Sequence, residues 1–307
     1  MTRRRTARRA RRGWRGSVAR RRQPHVSSYH HPIPILDAAA LSFLLVFRLN
    51  RAAVRYWDTR QMWGKIVEIG RQLTAGAVVH CTHAPLARDA ICAWTCAFAV
   101  ASKDMLRGHA ALDSAELTGV LPAADAEAVS RATHMPLFCA AALRAALAAA
   151  LGPGATPESD PLSARSVATA THRAAVLRTL EVHVDELVGQ VGGMERIKAT
   201  PLPIVYVSHL RTFLLGYLLC MPLVYIGHWQ WGTIPAMALV SFALLGVEGA
   251  AAECEAPFAD RHNHLAMDVY CAALIANVGE ILHAAEVHAA APWAQPSDVS
   301  ALAASPT

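Results

Sequence analysis

The stretch Pro203–Ile226, PIVYVSHLRTFLLGYLLCMPLVYI, decides the fold class of this chain. About 20 mostly apolar residues suffice to cross the hydrocarbon layer of a membrane as an α-helix, and this run reaches that length despite His209 and Arg211. After the polar break His228-Trp229-Gln230-Trp231-Gly232, a second apolar run from Thr233 to Val247 reads as its hairpin partner. Pro203 stands in the first helical turn, where its missing N–H costs little. The helix N-terminus it opens carries partial positive charge and favours an anion beside it.

Composition agrees with a membrane class: 54% of the residues are apolar and 17% charged, richer in hydrophobes than an ordinary soluble domain. Much of the excess is alanine, so the long segments carry the argument. The net charge of +6 hides an asymmetry. Residues 1–36 hold eleven arginines and no acid, so the remainder is net acidic. The leader, residues 1–34, reads as an organelle transit peptide or a disordered arm attracted to anionic lipid. Nucleic-acid binding is the other reading of an arginine tract, but no recognition fold follows it, so no nucleic-acid partner is expected. Residues 292–307 read as a disordered tail.

Upstream of the hairpin, an unbroken helix is predicted over 35–80. Ala39, Phe43 and Phe47 recur every four residues, with Ile35 one turn earlier, and so form a stripe on one face. Leu41, Leu45 and Leu49 face away. A helix apolar on two faces needs two apolar surroundings, such as a neighbouring helix on one side and lipid or a dry pore on the other. Cytosolic helices are expected within 87–200, at 87–107, 117–129, 136–151 and 164–192, with a loop at 152–163. The membrane hairpin covers 203–248, and a C-terminal helix 263–288. Arg48, Arg51 and Arg55 are expected to pair with acids such as Asp58 or Glu68 on neighbouring helices, or to steady anions. Glu248 is expected to snorkel at the interface. His262-Asn263-His264 reads as a surface turn.

Little points to catalysis. Seven cysteines imply no disulfide framework. His80, Cys81 and His83 lack a second ligand pair at usable spacing and read as a polar helix end, so no metal or other cofactor is expected. No phosphate-cradling glycine loop or nucleophile motif is present, and the chain does not read as an enzyme.

Four blocks, in order, carry a resemblance to the bestrophin family, in particular its bacterial and plant-type branch of chloride channels. Ser42–Gly64 (SFLLVFRLNRAAVRYWDTRQMWG) resembles that branch's Phe, Phe-Arg, Asn, Arg and Trp-Gly pattern. Cys92–Gly108 is similar to its cytosolic helix ending Leu-Arg-Gly. Glu195–Tyr206 (ERIKATPLPIVY) is similar to its lead-in to the third span, and Glu253–Phe258 (ECEAPF) to its Glu-x-Glu-x-Pro-Phe segment. Together the blocks cover about two-thirds of the chain.

The resemblance implies an all-α fold, with membrane helices joined to a cytosolic helical bundle and five subunits ringed around one pore. It places Ala39, Phe43 and Phe47 on a narrow hydrophobic neck, and Leu202, before Pro203, at a second, cytosolic aperture. An apolar ring of this kind gates by dewetting, while helix N-termini and aromatic edges steady a partly dehydrated anion. Arg48, Arg51 and Pro203 are candidate anion-stabilising or structural residues. The small Ala39 implies a wider outer end of the neck. Chloride or another small anion is the implied partner. The high alanine content with the basic leader suggests a chloroplast or thylakoid membrane or another organelle membrane, with a bacterial-type plasma membrane as the alternative.

The family's first membrane helix would precede Ile35, where this chain has the arginine-rich leader. A truncated, non-conducting modulatory subunit is therefore the alternative, as is a cation-selective member of the same family. Animal members bind calcium through acids after Pro-Phe. Here that segment, Ala259–Met267, has one acid, so calcium is not expected to gate the protein, because a hard cation wants several carboxylate oxygens.

Overall fold

The computed structural model describes residues 32–153, 155 and 164–289. The leader up to residue 31, most of the 152–163 loop and the 292–307 tail lie outside the described residues. Among the described residues the chain is all-α. Helix α1, Pro32–His80, has 49 residues. At 1.5 Å per residue it is about 74 Å long, more than twice the thickness of a hydrocarbon layer. It is followed by α2 (Pro85–Arg107), α3 (Ala123–Arg131), α4 (Met135–Leu151) and α5 (Ala164–Ala199). Then come α6 (Ile204–Trp229), a single 3-10 turn (Gln230–Gly232), α7 (Thr233–Glu255) and α8 (Met267–Ala289).

Helix α1 serves two cores, one at each end. In its lower part Trp63, Ile66, Ile69, Leu73 and Ala77 recur at three- and four-residue spacing and are buried against α2, α5 and α8. In its upper part Leu41 and Leu45 are buried against Leu210 and Leu214 of α6. The same helix therefore ties a helical bundle to the hairpin. Gly70 marks a close crossing, since a Cβ there would meet the Leu274 side chain of α8 at 2.8 Å.

Helices α6 and α7 run antiparallel: Arg211, near the start of α6, bonds Glu248 in the penultimate turns of α7 at 2.6 Å. Together with the 3-10 turn they form one stretch, Ile204–Glu255, long and apolar enough to cross a membrane, and little of its most apolar window is buried within the chain. Leu219 is 76% exposed and Phe242 79%. A hairpin that leaves such side chains outward matches a lipid surround, because in water this area would drive aggregation. Pro222 lies inside α6, a placement that membrane helices tolerate when neighbouring groups satisfy the freed carbonyl.

Several boundaries differ from the sequence expectation. The helix expected at 117–129 begins only at Ala123. Residues 114–120 are turns, because Pro122 at the N-cap cannot sit inside a helix and instead starts one. Helix α5 continues through Gly192-Gly193 to Ala199. Gly193 marks close packing, since a Cβ there would meet Met62 of α1 at 2.9 Å. Helix α7 runs two turns past Glu248, its alanine-rich end laying the buried Ala251 inward, and stops before Pro257. Helix α8 starts at Met267, and the residues before it form a tight turn.

Candidate functional site

The two faces of upper α1 have different surroundings. Leu41, Leu45, Arg48 and Ala52 form the buried side. Ala39, Phe43 and Phe47 form the open side, with Phe43 71% exposed and Phe47 46%. The two phenylalanine rings stack with centroids 6.5 Å apart and planes 21° apart. Tyr206, from the first turn of α6, meets Phe47 edge to face at 6.5 Å. One turn below Phe47, the Arg51 guanidinium lies 5.8 Å from its ring centroid. No acid pairs with Arg51 among the described residues, so an apolar stripe ends in an unneutralised cation that keeps its hydration on the open side.

Arg48 has a different place. Its side chain is wholly buried, 3.0 Å from Glu248 and 3.4 Å from Glu255, both on α7. Glu248 also holds Arg211 at 2.6 Å. Two cations and two acids thus balance, with Arg48, Glu248 and Glu255 largely withdrawn from water and Arg211 half exposed. Each of the three buried charges would be costly alone, because desolvating an unpaired ion exceeds what nearby dipoles return. This corrects two expectations. The acids are Glu248 and Glu255, not Asp58 or Glu68, and Glu68 pairs with Lys65 instead. Glu248 is buried rather than snorkelling, because α1 and α6 both bring it a guanidinium.

Arg55 pairs with no acid among the described residues. Its guanidinium donates to the carbonyls of Thr200 at 2.8 Å and Ile197 at 2.6 Å, capping the C-terminal end of α5. This fastens the Pro201-Leu202-Pro203 link to α1. Leu202 is half-buried in that link, and Pro203 is the exposed N-cap of α6, with no side-chain cap.

Behind this region the Leu-Arg-Gly end of α2 has a clear physical role. Leu106 is buried. Arg107 grips Asp268 at the start of α8 with two bonds, 2.7 and 2.5 Å. Gly108 takes φ +84°, a left-handed C-cap that suits glycine, and its turn returns N–H groups to Asp104 and Met105. The Arg107 bonds, with help from Lys103, hold the Asp268 carboxyl down at about 2 against the opposing effect of burial. Burial works against the Lys103 charge, but hydrogen bonds to Glu116 and Asp268 outweigh it and keep its ammonium above the ordinary value.

The turn after Pro-Phe is also neutralised internally. His264 is buried, not a surface residue: one ring nitrogen contacts the Ala259 carbonyl at 2.9 Å and the other Glu253 at 2.9 Å. Arg261 lies 3.7 Å from Glu253, and Asp260 lies 3.4 Å from Arg107. At the other end of the bundle His83 reaches the Ala150 carbonyl at 2.8 Å. Among the described residues no group of three or more His, Cys, Asp or Glu is arranged to hold a metal ion.

The sequence pattern placed the phenylalanine stripe but missed the distant partners of α1: Tyr206 against Phe47, and Glu248 and Glu255 against Arg48, all more than 150 residues away. The signal available was indirect: an arginine within an apolar stretch requires an acid nearby.

Known proteins resemble the chain along most of its length. It is 28% identical over 251 residues to a voltage-dependent anion channel-forming protein of Nostoc, covering 80% of this chain and 76% of that one. It is 25% identical over 264 residues to the voltage-dependent chloride channel 2, chloroplastic, of Arabidopsis thaliana, covering 83% of this chain and 57% of that one. A solved bacterial bestrophin homologue from Klebsiella pneumoniae superposes with a TM-score of 0.71 at 20% identity, covering 82% of this chain and 87% of that one, and so shares the fold. Residues 17–280 match the family described as Bacterial/Fungal Bestrophin protein, and the chain belongs to that family.

Proposed function

We propose that this chain is the subunit of a membrane anion channel, with chloride as the principal ion, and that transport rather than catalysis is its activity. The observation that carries this reading is the open stripe Ala39-Phe43-Phe47, apolar yet unburied on a helix whose opposite face is packed. In a closed ring of copies such a face turns inward and forms a dry constriction, which blocks ions through the cost of removing their water. Five copies is the number the family resemblance implies. Arg51, at the foot of the stripe, attracts anions as they leave it. Leu202, beside the uncapped N-terminus of α6 at Pro203, forms a second aperture. Arg48 is structural.

Calcium is not needed in this scheme. Glu253, Asp260 and Asp268 each already face a protein cation, so a divalent ion would have to displace an arginine, lysine or histidine. The names of the similar proteins, an anion channel-forming protein and a chloroplastic chloride channel, support the ion class and a membrane setting, and an organelle or bacterial-type membrane is the proposed location. Reconstitution in chloride-loaded vesicles tests the proposal. Chloride efflux that follows an imposed potential supports it, and vesicles no leakier than protein-free controls would refute it.

A further inference from the structure

A cavity of about 470 Å³ lies at the foot of the hairpin, where the two ends of the apolar stretch meet the bundle. Its floor is apolar, with Ile197, Ala256 and Phe258. Its wall carries Arg55, Arg107, Lys198 and Arg211, against the single acid Glu255. Three of these five charges are cancelled locally: Arg107 by Asp268, Arg211 by Glu248, and Glu255 by Arg48.

The other two are not cancelled. Arg55 donates only to the Thr200 and Ile197 carbonyls, and its Nε is buried without a partner. Lys198 donates only to the Met105 carbonyl, at 2.9 Å. A carbonyl satisfies an N–H but does not neutralise a full positive charge. The cavity therefore holds two uncompensated cations above an apolar floor. It sits at the end of the hairpin that is rich in Lys and Arg, while the tip, His228–Gly232, has neither.

We propose that this cavity is a phosphate-binding site, occupied by the phosphate of an anionic phospholipid headgroup whose glycerol end rests on the apolar floor. Arg55, through the N–H groups its two carbonyl bonds leave free, and Lys198 supply the charge-assisted hydrogen bonds from the same cavity wall. The lipid source rests on the membrane reading above, because only a hairpin standing in a bilayer brings this cavity to headgroup level. A free phosphate would use the same two cations.

The test uses the full chain in mild detergent, offered phosphatidylglycerol, phosphatidylcholine or inorganic phosphate, and reads bound lipid by native mass spectrometry and stability by thermal melting. Wild type should retain phosphatidylglycerol in preference to phosphatidylcholine and melt higher with it. Lys198→Gln, an exposed position that leaves the core intact, should weaken that retention by about tenfold, the loss of one charged hydrogen bond. Lys198→Arg should restore it. Stabilisation by millimolar inorganic phosphate equal to that by the lipid, and equally dependent on Lys198, would keep the phosphate site and reassign its source to solution.

Three results would overturn the proposal. These are equal retention of both lipids, retention indifferent to Lys198→Gln, which would point to the arginine-rich leader present in both proteins, and failure of Lys198→Arg to rescue. Lipid retention is read without any current, so a protein that binds the lipid but does not conduct would refute the channel reading and leave this one standing.

Discussion

The Arg48 guanidinium of α1 lies 3.0 Å from the Glu248 carboxylate of α7, with the arginine wholly buried. The bond joins the helix bearing the phenylalanine stripe to the apolar hairpin, and it is made by residues 200 positions apart. Removing Arg48 leaves Glu255 without a partner and Glu248 with Arg211 alone, and breaking such a buried pair costs about 3–5 kcal/mol. Arg48→Met is therefore expected to lower the melting temperature of the detergent-solubilised protein sharply. Arg51→Met, on the open face, should change it little. Equal melting of the two variants would show that the buried cluster is not what holds α1 to the hairpin.

Acid should loosen α8 from α2. The Asp268 carboxyl is held at about 2, below its ordinary 3.8, chiefly by the Arg107 bonds. A depressed carboxylate contributes stability that is fully present above the unfolded value and is lost as pH falls through the folded one. Melting temperature should therefore be flat above pH about 5 with respect to this group and fall between about 4 and 2. Asp268→Asn should be less stable at neutral pH and lose less of its remaining stability across that acid range. The effect is modest, because Asp268 is half exposed and water screens the pair.

Thiol reactivity should divide by burial. Cys92, Cys96 and Cys139 are pushed up to about 12 by burial, and burial also raises Cys81 and Cys271. Thiolate is the reactive form, so these five should resist maleimide at pH 7.5 in the native protein and label on denaturation. Cys254, half-buried at the end of α7, is the position open to labelling, while Cys220, exposed on the apolar hairpin, is shielded by lipid or detergent. Rapid native labelling of Cys96 would contradict the packing of α2.

Current should persist in strong calcium chelator, given that His264 and Arg261 occupy Glu253 while Arg107 occupies Asp260. Loss of current on chelation, with recovery when calcium is restored, would overturn this expectation.

The sequence was most readable where one helix face decides the outcome. The spacing of Phe43 and Phe47 against Leu41 and Leu45 separated an open side from a packed side of α1, because a single helix fixes that geometry. It was least readable where partners are distant. Nothing beside Arg48, Arg55 or His264 in the chain names its partner. Their acceptors, Glu248, the Thr200 carbonyl and Glu253, are chosen by helix packing that no local pattern encodes. Gly192-Gly193 misled for a related reason: glycine serves both as a helix terminator and as a place for close packing, and only Met62 of α1 distinguishes the two here.

The measurement that bears most directly on the central claim is single-channel conductance of Phe43→Ala/Phe47→Ala in planar bilayers, taken with oligomer yield on the same preparation. If the stripe lines a dry neck, smaller side chains admit water and lower the barrier to ions, so conductance should rise while the assembled protein survives. If the phenylalanines are instead packing residues between helices, two truncations costing about 3–5 kcal/mol each should reduce assembled protein with no gain in current, and that result would contradict the account.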